Sequence, residues 1–309
     1  MREKSQVLSE FWLKVIAILT MTMDHIGAFM VNSSYSAYFP EGSAGFIVGI
    51  VLRCFGRLSF PLFALMLAEG LHKSKNREKY LFRLGGIWLL LALVELVFYF
   101  IPSFRDFAMA EAFSDLFMFA LFIYFIEKKG AWKLLALLPL AYIGISYAAF
   151  LSERLALKGN FTSVWSAYFP TFLRSPYCLY GFLIFLGFYY AYPLANIFVK
   201  KGMKLTDEES TAYQKSKEYR SLINLLGGTG LLVVTVIFWC FAYFYPQSDI
   251  YGLAGDSYSL QTYCLLDLLL ILLYNGKRGY DKKALRYAEY LYYPLHLALL
   301  ALIFSLLFR

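Results

Sequence analysis

The stretch Lys14-Val-Ile-Ala-Ile-Leu-Thr-Met-Thr-Met-Asp24-His25-Ile-Gly27 lies within an apolar segment of about residues 11–32. The segment is long enough to cross a bilayer as a helix, yet it contains Asp24 and His25 well away from either end. Ionisable side chains at membrane depth are costly, and they usually mark a functional site or pathway. The stretch therefore predicts a transmembrane helix that carries part of a polar site.

Lys14 and His25 are predicted to face the same side of this helix. They are separated by about 1100° of helical turn and by roughly 16 Å along the axis. Lys14 then lies near the membrane surface and His25 deep in the span, so both can line one cavity. Asp24 points about 100° away from His25, so the two do not form a bonded pair. A structural role is the alternative, with His25 bonded to a neighbouring helix and Asp24 holding an arginine.

The composition is that of a polytopic membrane protein. Of 309 residues, 60% are hydrophobic and 16% charged, and the mean hydropathy is +0.57, which is more apolar surface than a soluble core needs. The sequence predicts an all-α, multi-pass protein of the cell membrane, in which residues 1–309 form a single domain surrounded by the lipid bilayer. The net charge of +8 would suit nucleic acid, but the basic residues lie in short loops, so we expect no such partner.

Nine apolar segments are predicted to span the membrane. Each is an apolar run bounded by polar loops. The predicted spans are residues 11–32, 44–69, 80–101, 107–126, 131–150, 176–199, 222–245, 259–274 and 285–308.

The distribution of basic residues predicts the orientation of these spans. Alternate loops hold most of the lysines and arginines, at residues 2–14, 73–83, 128–133, 200–220 and 277–286. The remaining loops carry only Arg105, Arg154, Lys158, Arg174 and Arg309. Because basic loops stay in the cytoplasm, the N-terminus is expected inside and the C-terminus outside.

The four cysteines predict neither a disulfide framework nor a metal site. Cys54, Cys178, Cys240 and Cys264 all fall within apolar segments and are widely separated. We expect them to be buried, reduced thiols, and we expect no bound metal.

The second predicted span contains Arg53 and Arg57, which are four residues apart and therefore on one face. Pro61 cannot donate a hydrogen bond to the Arg57 carbonyl, so a kink is expected there. Arginines at membrane depth need anionic partners or a wet cavity. Arg53 suits an ion pair that fixes helix packing as well as it suits a site, whereas for Arg57 we favour binding of a charged ligand. Carboxylates in the predicted spans are Asp24, Glu95, Asp115 and Asp267.

The last predicted span contributes Tyr292-Tyr293-Pro294-Leu295-His296. Counted from Arg286 at the cytoplasmic edge, His296 lies roughly 15 Å into the span, at a depth similar to those of His25 and Arg57. Three ionisable residues from three spans at one depth favour a shared site over a packing bond. His72, the remaining histidine, follows the second span and is expected at the surface.

Six short motifs together resemble one known family. They are Leu13-Lys-x-Ile-Ala17, Met23-Asp-His-Ile-Gly27, Gly56-Arg-Leu-Ser-Phe-Pro-Leu-Phe63, Glu69-Gly70, Asn76-Arg-x-x-Tyr-Leu-x-Arg83 and Tyr293-Pro-Leu-His296. These motifs resemble the TraX family, which is named for a conjugation protein that acetylates the N-terminus of pilin. The spacing of Lys14 and His25 is also similar to the Arg/Lys-x10-His signature of the wider inner-membrane acyltransferases that modify sugars and envelope polymers.

The resemblance implies an acetyltransferase that uses acetyl-CoA as its donor substrate. In the wider family the histidine is regarded as catalytic, which implies a catalytic site of His25 with Asp24, Arg57 and His296. The acceptor does not follow, so a peptide N-terminus, a sugar and an envelope polymer stay open, as do direct transfer and an acetyl-histidine intermediate. Cationic side chains expected to hold the anionic donor are Lys14, Arg53, Arg57, Lys73, Lys75, Arg77 and Arg83.

Two other functions stay open from the sequence. One is a transporter or proton-coupled flippase in which His25, Asp24 and the arginines form a relay. The other is an assembly or scaffold protein whose buried charges only specify helix packing. Transfer of label from acetyl-CoA by the purified protein separates the three, because neither alternative predicts it.

Overall fold

Helices make up most of the chain in the computed structural model, which describes residues 6–101, 111–157, 165–244 and 258–308. Within these ranges the only β-type pairing is a bridge between Leu8 and Tyr274. The all-α prediction is therefore confirmed. In chain order the α-helices are α1 (Glu10–Met30), α2 (Ala44–Gly56), α3 (Ser59–Lys73), α4 (Arg77–Phe100), α5 (Ala112–Ile126), α6 (Leu137–Leu157), α7 (Trp165–Tyr168), α8 (Cys178–Ile197), α9 (Asp207–Tyr213), α10 (Lys217–Phe244), α11 (Tyr258–Gln261), α12 (Asp267–Leu272) and α13 (Lys283–Leu307).

Short non-α turns extend several of these helices. A π-helical segment, Phe198–Gly202, follows α8. The 3₁₀ segments are Ser33–Tyr35, Gly130–Ala136, Thr171–Leu173 and Thr262–Leu266.

Six helical segments of the described chain are long and apolar enough to cross a membrane. They are Glu10–Met30, Ala44–Lys73, Arg77–Phe100, Gly130–Glu153, Thr171–Gly202 and Lys217–Phe244. Three shorter apolar helical segments are Ala112–Ile126, Thr262–Leu272 and Leu291–Leu307. The chain is thus a helical membrane protein, while the count of nine spans and their orientation stay predictions.

The second predicted span is two helices in the structure. Helix α2 ends at Gly56 and α3 begins at Ser59, so the chain breaks at Arg57 and Leu58 rather than bending at Pro61. Pro61 falls in the first turn of α3, where its missing N–H leaves no helical hydrogen bond unmade. The break therefore leaves Arg57 at the junction between two helices.

Helix α3 lies at the centre of the molecule. Nearly all of its side chains between Ser59 and Leu71 are buried, and it packs against α1, α5 and α8. Leu62, Phe119 and Phe185 belong to the surrounding apolar core. A buried central helix needs an apolar surface all round, which is the pattern of this segment.

Helices α1 and α2 cross at short range because glycines face each other. A Cβ atom at Gly27 would overlap the carbonyl oxygen of Gly49. A Cβ atom at Gly56 would overlap the side chain of Asp24. Gly27, Gly49 and Gly56 therefore allow α1 to approach α2 so closely that Asp24 lies against the end of α2.

The prediction of the orientation also used basic residues near both ends of the chain and in two loops. Arg2, Lys4, Arg105, Lys158 and Arg309 lie outside the described residues.

Cysteine labelling tests the orientation. Ser36 and Ala167 are exposed in connecting segments predicted to lie outside, and Lys75 and Lys277 are exposed in connecting segments predicted to lie inside. Cysteines introduced at the first two positions are expected to react with an impermeant thiol reagent added to intact cells, because positively charged loops are retained in the cytoplasm. Cysteines at the second two positions are expected to react only after lysis. The unsubstituted protein gives the background from the native cysteines, and the opposite labelling pattern would reverse the orientation.

Candidate functional site

A buried ion pair joins α1 to the junction between α2 and α3. Arg57, only 4% exposed, donates from Nη2 to the Oδ1 atom of Asp24. The Arg53 Nε atom lies 3.9 Å from the same oxygen, and Arg57 Nη1 is 3.5 Å from Gln261 Oε1. The structure thus gives Arg57 the anionic partner that a guanidinium at membrane depth requires.

The next residue along α1 meets α13. His25 Nδ1 and His296 Nε2 are 2.8 Å apart, a hydrogen-bond distance. The two imidazole rings are 5.0 Å apart between centroids and nearly parallel, with an angle of 14°. His296 is buried and His25 half-buried. The structure therefore brings together the two histidines that the sequence placed at one depth.

Two tyrosines of α13 pack around this histidine pair. The Tyr292 ring is stacked on His296 at 5.0 Å between centroids, and its hydroxyl is 2.8 Å from Thr22 Oγ1. Tyr293 lies edge-on to both imidazoles and donates from its hydroxyl to the carboxyl group of Glu111. These contacts fix the position of both imidazole rings.

A cavity of about 270 Å³ leads towards the histidine pair. It is bounded by α1, α3, α4, α5, α13 and the segment before α13. Along α1 the lining runs from Glu10 to Met21, a length of roughly 16 Å, and His25 comes one helical turn further on. Tyr292 and Tyr293 line the inner end, so the cavity reaches the rings that pack directly against His296.

Backbone pairing holds one side of this cavity in place. The Leu8 amide donates to the Leu273 carbonyl at 3.0 Å, and the Asn275 amide donates to the Leu8 carbonyl at 2.8 Å. The Glu10 and Phe11 amides then donate to the carbonyls of residues 277 and 278. The start of α1 is therefore bound along the segment 273–278, which supplies Arg278 to the lining.

The charged side chains of the cavity are largely paired with one another. Lys14 lies 3.1 Å from Glu10 and 3.4 Å from Glu289. Lys73 pairs with Glu69, and its Nζ atom is 2.6 Å from the Gly276 carbonyl.

Two arginines complete the charged lining. Arg278 Nη1 is 3.2 Å from Asp281 Oδ2. Arg83 donates to the Lys79 carbonyl at 3.3 Å and forms no ion pair with a described carboxylate. Among the cations that line the cavity, Arg83 is thus the one that no carboxylate in the described part of the chain neutralises.

The residues predicted to form the site fall into two groups. Lys14, Lys73 and Arg83 line the cavity, whereas Arg53 and Arg57 lie with Asp24 beside the histidine pair. Neither Lys75 nor Arg77 lines the cavity. Lys75 is exposed, and Arg77 pairs with Glu127 and donates to the Leu71 carbonyl.

His72 was expected at the surface, and this expectation is wrong. Its ring is half-buried and stacked between Tyr189 and Tyr192, with centroids 4.3 and 4.1 Å away. Its Nε2 atom is 2.9 Å from the Tyr189 carbonyl oxygen. The α3 helix ends against α8, and this contact covers the imidazole.

Sequence reasoning missed the carboxylates that pair with the cavity lysines. Glu10 precedes Lys14 by four residues, and Glu69 precedes Lys73 by four, a spacing that places opposite charges together on a helix. That signal was present in the sequence. Glu289, Glu111 and Gln261 come from distant helices, so no local spacing could have assigned them.

The sequence is similar to one protein family and to one protein of described function. The family model described as TraX protein matches residues 9–203. A protein of Dichelobacter nodosus, described as probable fimbrial assembly protein FimC, serogroup H1, is 27% identical over 295 residues, which are 94% of each chain. No solved structure matches the chain. The matched range of the family model includes Asp24, His25 and Arg57.

Removal of the anion beside Arg57 is expected to destabilise the protein. Asp24→Asn leaves a buried guanidinium with a neutral partner, and loss of one member of a buried ion pair costs about 3–5 kcal/mol. The midpoint of thermal unfolding in detergent should therefore fall clearly. Asp207→Asn is the matched control, because the Lys200–Asp207 pair is exposed and exposed pairs contribute little. Equal midpoints for the two variants would contradict this role of Asp24.

Proposed function

The chain belongs to the TraX family, and we propose that it is an integral-membrane acetyltransferase. It transfers an acetyl group from cytoplasmic acetyl-CoA to an amine or hydroxyl of a membrane-associated or extracytoplasmic acceptor. One observation carries the proposal: a hydrogen-bonded pair of histidines lies directly behind the inner end of a cavity with a charged lining. An imidazole suits proton transfer because its unperturbed pKa lies near neutrality.

The cavity suits the donor in its shape and in its distribution of charge. The charged residues lie towards the start of α1 and the end of α3, on the side predicted to face the cytoplasm, and the inner end is apolar and aromatic. Phosphates of acetyl-CoA would bind at the charged end, with Arg83 as the first contact. The acyl arm would extend inwards towards Tyr293.

The chemistry of transfer needs a base and a positive environment for the carbonyl oxygen. His25 accepts the proton of the acceptor N–H or O–H as the acceptor atom bonds to the acetyl carbon. The bond between that carbon and the CoA sulfur breaks, and the thiolate leaves with the proton as CoA thiol. Arg57 and Arg53 lie close enough to His25 to interact with it electrostatically, and such groups stabilise a developing oxyanion.

A second candidate function is assembly without catalysis. The relative from Dichelobacter nodosus is described as a probable fimbrial assembly protein, and buried ion pairs such as Asp24–Arg57 also occur in proteins with no enzymatic role. A transporter or flippase with an intramembrane relay is a third candidate. Neither requires acetyl-CoA.

Labelled acetyl-CoA distinguishes these functions. The purified protein is expected to release CoA from acetyl-CoA slowly and to transfer the label when membrane extract is added as a source of acceptor. Mass spectrometry of cells with and without the gene identifies the acceptor by a mass difference of one acetyl group. Absence of both CoA release and transfer by the folded protein would remove the proposal.

Replacement of His25 tests its assigned role. His25→Ala is expected to lower acetyl transfer by about 100- to 10,000-fold, the usual contribution of a general base, while acetyl-CoA still binds. His25→Asn retains a hydrogen-bonding group but has no basic atom. This variant should therefore be about as stable as the unsubstituted protein and yet inactive. Near-normal turnover by His25→Asn would make His25 a structural residue and His296 the better candidate for the base.

Replacement of Arg83 tests the donor site. Arg83→Gln removes the cavity cation that has no carboxylate partner among the described residues, and it is expected to weaken acetyl-CoA binding by roughly tenfold or more. The effect should shrink at high salt, because exposed charge–phosphate contacts are screened. Lys129→Gln removes one exposed positive charge elsewhere on the same predicted face and serves as the control in a binding titration. Equal affinities for the two variants would place the phosphates elsewhere.

A further inference from the structure

The hydrogen bonds of the histidine pair have a direction, and the backbone sets it. The Nδ1 atom of His296 is 3.0 Å from the carbonyl oxygen of Tyr292. A carbonyl oxygen only accepts hydrogen bonds, so His296 carries its proton on Nδ1. In a neutral imidazole the other nitrogen then has a free lone pair. His296 Nε2 is therefore an acceptor.

This acceptor decides the tautomer of His25. His296 Nε2 lies 2.8 Å from His25 Nδ1, and one of these two nitrogens must donate. Since His296 Nε2 accepts, His25 Nδ1 carries the proton, and the lone pair of His25 is on Nε2. A protonated imidazole would add positive charge beside Arg57 at membrane depth, which is unfavourable, so both rings are taken as neutral.

We infer that two hydrogen bonds in series, from His25 Nδ1 to His296 Nε2 and from His296 Nδ1 to the Tyr292 carbonyl, fix the tautomer of His25. We call this chain of hydrogen bonds the histidine relay. It leaves His25 Nε2 as the atom that takes the proton from the substrate that receives the acetyl group. The inference rests on the proposed function for the reaction, but the direction of the relay rests on the hydrogen bonds alone. His296 is then a positioning residue, because it acts on the substrate only through His25. His25 Nε2 makes no hydrogen bond to a described residue, so its lone pair is available.

The surroundings of the pair keep the relay aligned. Tyr293 lies edge-on to His25 and His296 at 6.3 and 5.4 Å between centroids, and Glu111 accepts from its hydroxyl. The stacked ring of Tyr292 covers the other side of His296. A base held by a second group in one tautomer and one orientation is the arrangement that activates histidine in catalytic triads.

Nitrogen NMR of the histidines tests the direction of the relay. The chain has three histidines, so protein labelled with ¹⁵N-histidine gives three side-chain patterns that distinguish Nδ1–H from Nε2–H. His25 and His296 are expected as Nδ1–H forms. His72 is the internal control and is expected as the Nε2–H form, because its Nε2 atom faces the Tyr189 carbonyl. Loss of one pattern in each of His25→Asn, His72→Gln and His296→Gln assigns the signals.

Two replacements of His296 test its positioning role. His296→Leu removes the acceptor, so His25 should lose the fixed Nδ1–H form and kcat should fall at least about 10-fold, towards the roughly 10,000-fold cost of losing the orienting group of a triad. The KM for acetyl-CoA should change little. His296→Gln can accept from His25 through Oε1, so it should restore part of both the Nδ1–H pattern and kcat. A similar kcat for the Gln and Leu variants would overturn the positioning role.

The spectra test the histidine relay and the transfer assay tests the proposed function, so either hypothesis can be rejected without the other. Acetyl transfer together with an Nε2–H form of His25 would overturn the relay and leave the proposed function intact. Nδ1–H forms of both histidines without any acetyl transfer would remove the proposed function and support the relay as a structural device.

Discussion

The contact between Asp24 and Arg57 constrains the rest of the structure. A guanidinium at membrane depth needs an anion, and Asp24 supplies it from a different helix at the break between α2 and α3. The pair can form only because Gly56 leaves room for the aspartate side chain. Once α1 is held there, the next residue, His25, is directed towards α13. The histidine pair is thus a consequence of how one buried charge is neutralised.

The cavity is lined by paired positive and negative side chains near its entrance and by apolar and aromatic side chains at its inner end. Its lysines are already paired, Lys14 with Glu10 and Glu289 and Lys73 with Glu69. A polyanionic ligand must therefore compete with these carboxylates for the same cations, and part of its attraction is lost in the exchange. A cavity with such balanced charges therefore favours weak, reversible binding of an anion over tight retention. Arg83 differs from these lysines, because it forms no ion pair with a carboxylate in the described part of the chain.

The sequence predicted which polar residues lie close together better than it predicted the helix boundaries around them. His25, His296, Asp24 and Arg57 stood out because ionisable residues in apolar segments have few alternatives to a shared polar site. The break at Arg57 was misplaced to Pro61, since a proline is a strong signal and the preceding Gly56 a weak one. The direction of the histidine relay depends on the Tyr292 carbonyl. Every residue has a backbone carbonyl, so the sequence gives no signal that this one accepts a side-chain hydrogen bond.

The pairing of residues 8–11 with the segment 273–278 joins the beginning of the chain to a segment near its end. Helix α1 leaves the ribosome first, but its start acquires its backbone partners only after almost the whole chain has been made. The family model ends at residue 203, before this closing segment and before His296. A nascent chain of that length would hold Asp24, His25 and Arg57 in the membrane with one wall of the cavity missing. Contacts so distant in sequence form slowly, so the cavity is completed only late in synthesis and folding.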